Sequence, residues 1–266
     1  MSLRIQNNVE ALNAHRQLVS TSEKVKKSME RLSSGYRINR AADDAAGLAI
    51  SERMRSQVRG LNQASRNIQD GVSMVQTAEG NLDEVHSMLQ RVRELAVQYK
   101  NGTLSDSDKA ALQTEVNQLA SEIERIGTSA KFNGVTLLAD DSELVSFQVG
   151  VNDGDEISVS TISLGSVVGA FTDLSDDAAI SAIDDAISGV SEARATFGAV
   201  QNRLEHALTS TQVYAENLTA AESRIRDVDM AAEMVTLTKN QILQQAGTSM
   251  LAQANQAPQS ILSLIR

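Results

Sequence analysis

The sequence is poor in the residues that compact folds and chemical sites depend on. It has no cysteine, which excludes a disulfide framework, thiolate chemistry and cysteine-ligated metal. It has no tryptophan, and aromatic residues make up only 3% of 266 residues. Large rings supply much of the buried area of an ordinary core. A chain without them must bury Ala, Val, Ile and Leu along extended seams. One proline occurs, Pro258, where average usage would give about 13, so little interrupts long helices. The three histidines, His15, His86 and His206, stand far apart. His-Glu-x-x-His, Gly-x-Ser-x-Gly and phosphate-cradling glycine loops are all missing. Asn152-Asp153-Gly154-Asp155 has a fragment of a calcium loop but not its full ligand pattern, and reads as a hairpin turn. The expectation is a protein that is not an enzyme and uses no metal or cofactor. No apolar run reaches the ~18 residues of a membrane span, so no membrane insertion is expected. Met1 to Gln17 lacks the apolar core of a secretory signal, which points to another export route if the protein leaves the cell.

Charge is unevenly placed. The net charge of -10 argues against nucleic acid as a partner. Residues 1–40 hold eight Lys/Arg against three Glu. From Phe132 to Ala193 there are twelve Asp/Glu and no Lys or Arg. From Asn240 to Ile265 no residue of either sign occurs. A basic head, an acidic middle and a neutral tail follow one another.

What the chain does have is helical periodicity. Met54, Leu61, Ile68, Val75, Leu82 and Leu89 recur every seven residues, with Ala64, Gly71, Ala78, Val85 and Val92 three positions on. A second seam runs Ile183, Val190, Phe197, Leu204, Thr211, Leu218, Ile225. Small companions let helix axes approach closely, so the two rods are expected to pack on each other. A third helix fits Ser105 onward, where Ser105-Asp106-Ser107-Asp108 has the form of a capping box and Leu112, Val116, Leu119, Ile123 and Ile126 make a stripe. Leu144–Val149 and Glu156–Ser160 alternate around a turn and predict a β-hairpin; residues 164–172 read as loop. The ends carry thin stripes: Ile5, Val9, Leu12, Leu18, Val25, Met29 and Leu32 at one, Met230, Met234, Leu237, Leu243, Ala246, Met250, Ala254 and Ala257 at the other. Such helices are marginal alone and read as segments that fold against a partner.

The fold class is therefore mainly α: long antiparallel rods in a coiled-coil-like bundle, a small β-hairpin region in the middle, and helical terminal segments that pair. Expected domains are 1–42 with 226–266 as the terminal-helix part, and 43–225 as the rod part. The rod part would hold helices at about 44–99, 105–128 and 176–225 and a hairpin or loop region at about 139–172.

Particular residues then name a family. Leu32-Ser33-Ser34-Gly35-Tyr36-Arg37-Ile38-Asn39, the block Ala41 to Ile50, Arg66-Asn67-Ile68-Gln69-Asp70-Gly71, Gln76-Thr77-Ala78-Glu79-Gly80 and Phe132 to Leu138 resemble the N-terminal half of bacterial flagellins. Ala221 to Asp229 and the ending Ser263-Leu264-Ile265-Arg266 resemble the C-terminal half. The likeness covers residues 1–140 and 175–266, which leaves room only for a short form without outer variable domains. It implies a structural subunit of the extracellular flagellar filament, serving motility. The termini would form the filament core, with Ile5, Val9, Leu12, Leu243, Met250 and Leu264 as assembly residues. It implies secretion by type III export and self-assembly as a helical homopolymer. It also implies work with an export chaperone, a filament cap and hook–filament junction proteins. Arg91 and Leu95, with Glu115, match the positions by which a vertebrate Toll-like receptor senses flagellins in innate immune recognition; packing surface between subunits is the plainer reading of that patch. Two alternatives to a filament subunit share some of these features. A hook–filament junction protein shares the N-terminal likeness, and a soluble coiled-coil adaptor shares the seams.

Overall fold

A computed structural model of the chain describes residues 8–139, 144–165, 173–175 and 179–264, with the backbone alone for 257–264. The helices are α1 (Val9–Ser34), α2 (Ala45–Tyr99), α3 (Asp106–Ser129), α4 (Ala179–Arg226) and α5 (Met230–Leu264). Among the described residues, four short strands lie between α3 and α4: β1 (Lys131–Phe132), β2 (Val135–Thr136), β3 (Leu144–Gln148) and β4 (Glu156–Ser160). The chain is mainly helical, as its periodicity predicts. It divides into two compact units, Met1–Ser56 with Leu218–Arg266, and Gln57–Asn217. The division falls inside α2 and α4.

The helices α1, α2, α3 and α5 begin where a side chain can take up free N–H groups of the first turn. The Asn8 side chain accepts from Ala11 N–H at the start of α1. Asp44 accepts from Gly47 N–H at 2.8 Å beside the start of α2. Ser105 and Asp108 close the predicted capping box on α3. Asp229 accepts from the N–H groups of Ala231 and Ala232 at the head of α5. Gly35 ends α1 in the left-handed conformation, φ 75°, with its N–H on the Arg31 carbonyl, a cap that glycine adopts without steric cost.

In the unit Gln57–Asn217 one core runs through α2, α3, α4 and the hairpin. Leu61, Ile68, Val75, Leu82 and Leu89 of the first predicted seam are buried, and so are Ile183, Val190, Phe197 and Leu204 of the second. Ion pairs Arg93–Asp184 at 2.6 Å and Arg194–Asp83 at 3.0 Å tie the two helices. Their partners descend α2 as they ascend α4, so the rods run antiparallel. The α3 stripe buries Val116 and Ile123, with Leu112, Leu119 and Ile126 packed against the same core. The strands β3 and β4 pair antiparallel, Leu144 opposite Ser160 and Gln148 opposite Glu156. Alternation places Ile157 and Val159 inward and the three residues around them outward. A second hairpin, β1 to β2, turns on Asn133 (φ 49°) and Gly134 (φ 87°), the two positive φ values of a type I′ turn. Of the predicted loop at 164–172, Leu164 belongs to the core, and residues 166–172 lie outside the described residues.

The hairpin sits against α2 because two glycines leave room for it. A methyl group on Gly71 would meet the Phe147 ring at 3.1 Å, and one on Gly60 would overlap Val151 Cγ1. Asn67 Nδ2 donates to the Gln148 carbonyl between them. Gly60→Ala is expected to destabilise this unit by about 1–3 kcal/mol, the usual cost of overpacking, despite the better helix propensity of alanine. Gly80→Ala, in open space on the same helix, should stabilise slightly. Thermal unfolding of the two variants checks the contrast.

Candidate functional site

Among the described residues there is no cluster of potential metal ligands, and the features of note are surfaces and junctions. The unit made from both termini holds two of note.

The first is the pair α1–α5, which pack along each other. The less exposed column of α1 is Ala11, Ala14, Leu18, Thr21, Val25, Ser28 and Leu32; that of α5 is Leu237, Asn240, Gln244, Gly247, Leu251 and Ala254. Both columns step by threes and fours, the spacing of a coiled-coil seam, yet more than half their members are small or polar. Gly247 provides the close approach: a methyl group there would meet Leu18 Cδ1 at 3.3 Å. Thr21 is buried, and its hydroxyl donates back to the Gln17 carbonyl at 2.9 Å. Arg31 and Glu233 pair at 3.5 Å at one end of the seam, and Asn8 Nδ2 donates to the Ala254 carbonyl at 2.7 Å at the other.

The apolar residues expected to carry assembly point elsewhere. Val9 is 54% exposed, Leu12 60%, Leu243 48% and Met250 63%. Val19, Met29, Met230, Met234, Val235 and Ile242 are exposed as well. Of the other two expected assembly residues, Ile5 lies outside the described residues and Leu264 is described by backbone alone. These helices thus have a weak seam toward each other and a larger apolar surface away from it. A helix that is apolar around much of its circumference belongs inside something larger.

The second feature is the junction where α1 turns into α2 and α4 into α5. Tyr36 and Asp227 form an antiparallel bridge. Arg37 N–H donates to the Arg226 carbonyl at 2.7 Å, and Val228 N–H to the Gly35 carbonyl at 3.0 Å. The Arg37 guanidinium donates to the Ile225 carbonyl. The Arg226 side chain, 12% exposed, pairs with Glu52 and lies 4.8 Å from the Tyr36 ring centroid, a cation–π geometry. Arg226 in turn holds the Glu52 carboxyl below its ordinary pKa. Ile38 is buried under Gly47, where a methyl group would meet Ile38 Cδ1 at 2.9 Å. Of these residues, Ile225 belongs to the second predicted seam; the roles of Gly35, Tyr36, Arg37, Arg226 and Val228 at the junction have no signal in periodicity.

Asp43 closes the same turn. Its carboxylate pairs with Lys27 at 2.7 Å and accepts from the N–H groups of Arg40 and Asn39. The Lys27 hydrogen bond, then that of the Arg40 N–H, lowers its pKa from 3.8 to about 2. A carboxyl with a depressed folded-state pKa stabilises the fold above its unfolded pKa and ceases to do so as pH falls through the folded one. The 39–43 turn is therefore expected to loosen as pH drops from about 3.8 toward about 2. Asp43→Asn should remove that pH dependence, by under about 1 kcal/mol because Lys27 is half exposed. Carboxyl chemical shifts followed through acid titration check both statements.

Of the residues matched to a receptor contact, Arg91 and Glu115 meet on the surface of the other unit. Arg91 Nη2 lies 2.9 Å from Glu115 Oε1 and its Nη1 3.2 Å from Glu94 Oε2. Glu115 first, then Glu94, raises the Arg91 pKa. Leu95 lies one turn from Arg91 on the inward face with Val92 and Ala96, 1% exposed.

Comparison with known proteins puts these surfaces in context. The sequence model of the bacterial flagellin N-terminal helical region matches residues 5–143, and that of the C-terminal helical region residues 180–265. A flagellin of Halalkalibacterium halodurans is 54% identical over 98% of this chain and 99% of its own length. The flagellar filament 33 kDa core protein of Treponema phagedenis is 48% identical over 98% and 99%. Among solved structures, a Bacillus cereus flagellin aligns with TM-score 0.51 at 34% identity, over 59% of this chain and 94% of that one. A putative flagellar hook-associated protein from Vibrio parahaemolyticus aligns with TM-score 0.57 over 70% of this chain and 100% of that one, at 16% identity, and shares the fold alone. With both terminal regions matched and relatives this similar along nearly their whole length, the chain belongs to the bacterial flagellin family, whose members are structural subunits of the flagellar filament.

Proposed function

We propose that this chain polymerises with copies of itself into the extracellular flagellar filament, and that the α1–α5 pair forms the filament core. The observation that carries the reading is the outward apolar surface of that pair: Val9 and Leu12 on α1, Leu243 and Met250 on α5. A two-helix hairpin exposing this much apolar surface gains by burying it against like hairpins. Contacts that do not close on themselves propagate into a helical polymer. Ile5 and Leu264 extend the same stripes in sequence and are proposed to join them. The neutral composition of 240–265 suits close packing of many copies around one axis, since like charges would repel strongly where screening is poor. The acidic segment 132–193 then faces the medium and keeps filaments apart. In this reading 1–42 with 226–266 is the inner part and 43–225 the rod part. Export follows the type III route with a dedicated chaperone, and growth takes place under a cap protein on a hook–filament junction. Electron microscopy of the purified chain with sheared filament seeds tests the proposal. Long filaments from the full chain, and soluble monomers from a chain lacking 240–266, are expected. Persistent monomers from the full chain would favour a junction or adaptor role.

A second reading concerns the exposed Arg91–Glu115 pair. It is proposed as a contact for a vertebrate Toll-like receptor that senses free monomers. Arg91→Ala should weaken receptor activation by monomer about tenfold, the scale of one interfacial arginine, with unchanged helicity. Undiminished activation in a reporter-cell assay would remove this reading and leave the filament proposal untouched.

A further inference from the structure

Four Asn or Asp residues stand directly before a glycine: Asp70, Asn101, Asn133 and Asp153. A glycine nitrogen has no neighbouring Cβ to crowd it, and it can close a five-membered ring on the side-chain carbonyl carbon of the residue before it. The ring closes only if the main chain can turn until that nitrogen faces the carbon, so a backbone held in another conformation resists the reaction. A carboxylate is a poor electrophile, which sets aside Asp70 and Asp153. Asn133 is the first turn residue of the β1–β2 hairpin, at φ 49°. The ladder holds it from both sides. Phe132 pairs with Val135 and Lys131 with Thr136, and the Leu137 N–H donates to the carbonyl of Ala130 at 3.0 Å. Ala130 and Leu137 are themselves buried. Asn101 is placed differently. It lies in the connection between α2 and α3, outside helix and strand, and Asn101, Gly102 and Thr103 are all exposed. Its Oδ1 accepts from the Thr103 N–H at 3.3 Å. That bond folds the side chain back over the Gly102 peptide. It also sets a donor on the oxygen where negative charge gathers during attack on the carbonyl carbon. A methyl group on Gly102 would meet nothing within 4 Å, so the attacking nitrogen has open space around it.

We infer that Asn101 is a site of spontaneous deamidation, through a succinimide closed by the Gly102 nitrogen, and that the fold protects Asn133 from the same reaction. The Gly102 N–H gives its proton to solvent base as its nitrogen bonds to Asn101 Cγ. The Cγ–Nδ2 bond breaks, and the amide leaves as ammonia after taking a proton from water. A water molecule then opens the ring. Opening at Cγ leaves an ordinary aspartate, and opening at the main-chain carbonyl leaves isoaspartate, with the chain running through Cβ. Nothing is oxidised or reduced, and water is the co-reactant. Each event replaces a neutral amide by a carboxylate, on a chain whose net charge is already -10. The new charge stands just past the C-terminal end of α2, the negative end of a helix dipole. The isoaspartyl product also lengthens the α2–α3 connection by a methylene. The inference does not depend on polymerisation; in a long-lived filament the modified fraction would record the age of the subunit.

Peptide mapping by mass spectrometry of the full-length protein, aged in mildly alkaline buffer, tests it. Trypsin releases Asn101–Lys109, in which Asn101 is the only side-chain amide, so the mass gain of amide-to-acid conversion is assigned without ambiguity. In the folded protein Asn101 should deamidate about tenfold faster than Asn133 or more, the scale on which misplaced reacting atoms slow a reaction. In urea, which releases the hairpin, the two rates should converge. Gly102→Ala should slow Asn101 about tenfold by crowding the attacking nitrogen and leave Asn133 unchanged. Its circular dichroism should match wild type, because the added methyl meets nothing. An isoaspartyl methyltransferase with labelled S-adenosylmethionine should label the aged Asn101–Lys109 segment and not the fresh one. A folded-state rate ratio short of tenfold would overturn the inference. So would undiminished deamidation of Asn101 in Gly102→Ala, or an Asn101 that stays intact in the folded protein over the time in which the urea-unfolded chain is converted.

Discussion

Leu204→Asp will unfold the unit Gln57–Asn217. Leu204 is fully buried in the core that α2, α3 and α4 share, with Ile68, Phe197 and Val200 in the same cluster. Removing its side chain from that core forfeits about 1.5–3 kcal/mol of apolar burial. An unpaired carboxylate in its place costs several kcal/mol more. Together these approach the about 5–15 kcal/mol by which a domain is stable at all. The carboxyl can escape part of the cost by holding its proton, so its folded-state pKa would rise. Stability contributed by a group with a raised pKa is present below its unfolded value and is lost as pH rises through the folded one. The variant should therefore be less damaged near pH 4 than at pH 7. Leu204→Ala, which leaves a cavity but no charge, should cost about 2–5 kcal/mol and keep a cooperative transition. Circular dichroism melts of the three proteins at the two pH values check the order. A melt for Leu204→Asp at pH 7 within a few degrees of wild type would mean that Leu204 is not inward.

Much of this unit was legible in the sequence because its signals are periodic. A residue every seven positions with a small companion three on can only be a helix face, and Leu61 through Leu89 and Ile183 through Leu204 all lie inward. Periodicity reports that a helix has a face, but not how deep the face is buried. Met54, Leu218 and Ile225 continue the same register and are only half-buried; all three lie in the terminal unit. Alternation found the longer hairpin. It could not find β1–β2, whose strands have two residues each, although Asn133-Gly134 is a strong short-range turn signal.

The terminal pair was less legible, for a different reason. A scan for apolar stripes selects the most apolar residues, and on α5 these coincide only in part with the column that meets α1. Leu237 and Ala254 turn inward, but so do Asn240, Gln244 and Gly247, which such a scan passes over, while Leu243 and Met250 face away. On α1 the stripe mixes the two faces: Leu18, Val25 and Leu32 turn inward, Met29 outward. The Tyr36–Asp227 bridge was invisible for a third reason. Its bonds are made by backbone groups of Gly35, Arg37, Arg226 and Val228, and backbone groups leave no mark on side-chain periodicity. The motif residues around it were recognisable only by resemblance, and the structure supplies their physical roles: Gly35 as helix cap, Asp44 and Asp229 as N-terminal acceptors, Gly47 as the space over Ile38.

Leu243→Asp combined with Met250→Asp will abolish filament growth while leaving the monomer folded. Both side chains are about half exposed or more in the isolated chain, so replacing them costs the monomer little; surface changes of this kind usually stay within about 0.5 kcal/mol. In the proposed core each position meets neighbouring copies. The substitutions remove apolar contact and place two charges per subunit in a tail that otherwise carries none from Asn240 to Ile265. Repetition multiplies the effect, because every subunit added brings its charges against those already present. One unit pair at 4 Å repels by about 4 kcal/mol at an effective dielectric constant of 20, already enough to shift an association constant about a thousandfold. Seeded growth followed by light scattering should therefore vanish for the double variant, while its circular dichroism and melting temperature match wild type. Two comparisons assign the cause. Leu243→Asn with Met250→Gln, which removes the apolar contact without adding charge, should grow slowly rather than not at all. Raising the salt concentration should recover part of the growth of the Asp variant only if its charges remain within reach of solvent ions. Undisturbed growth of the Asp variant would mean that these faces of α5 stay exposed to water in the filament, and that the apolar surface used for assembly lies on Val9 and Leu12 of α1.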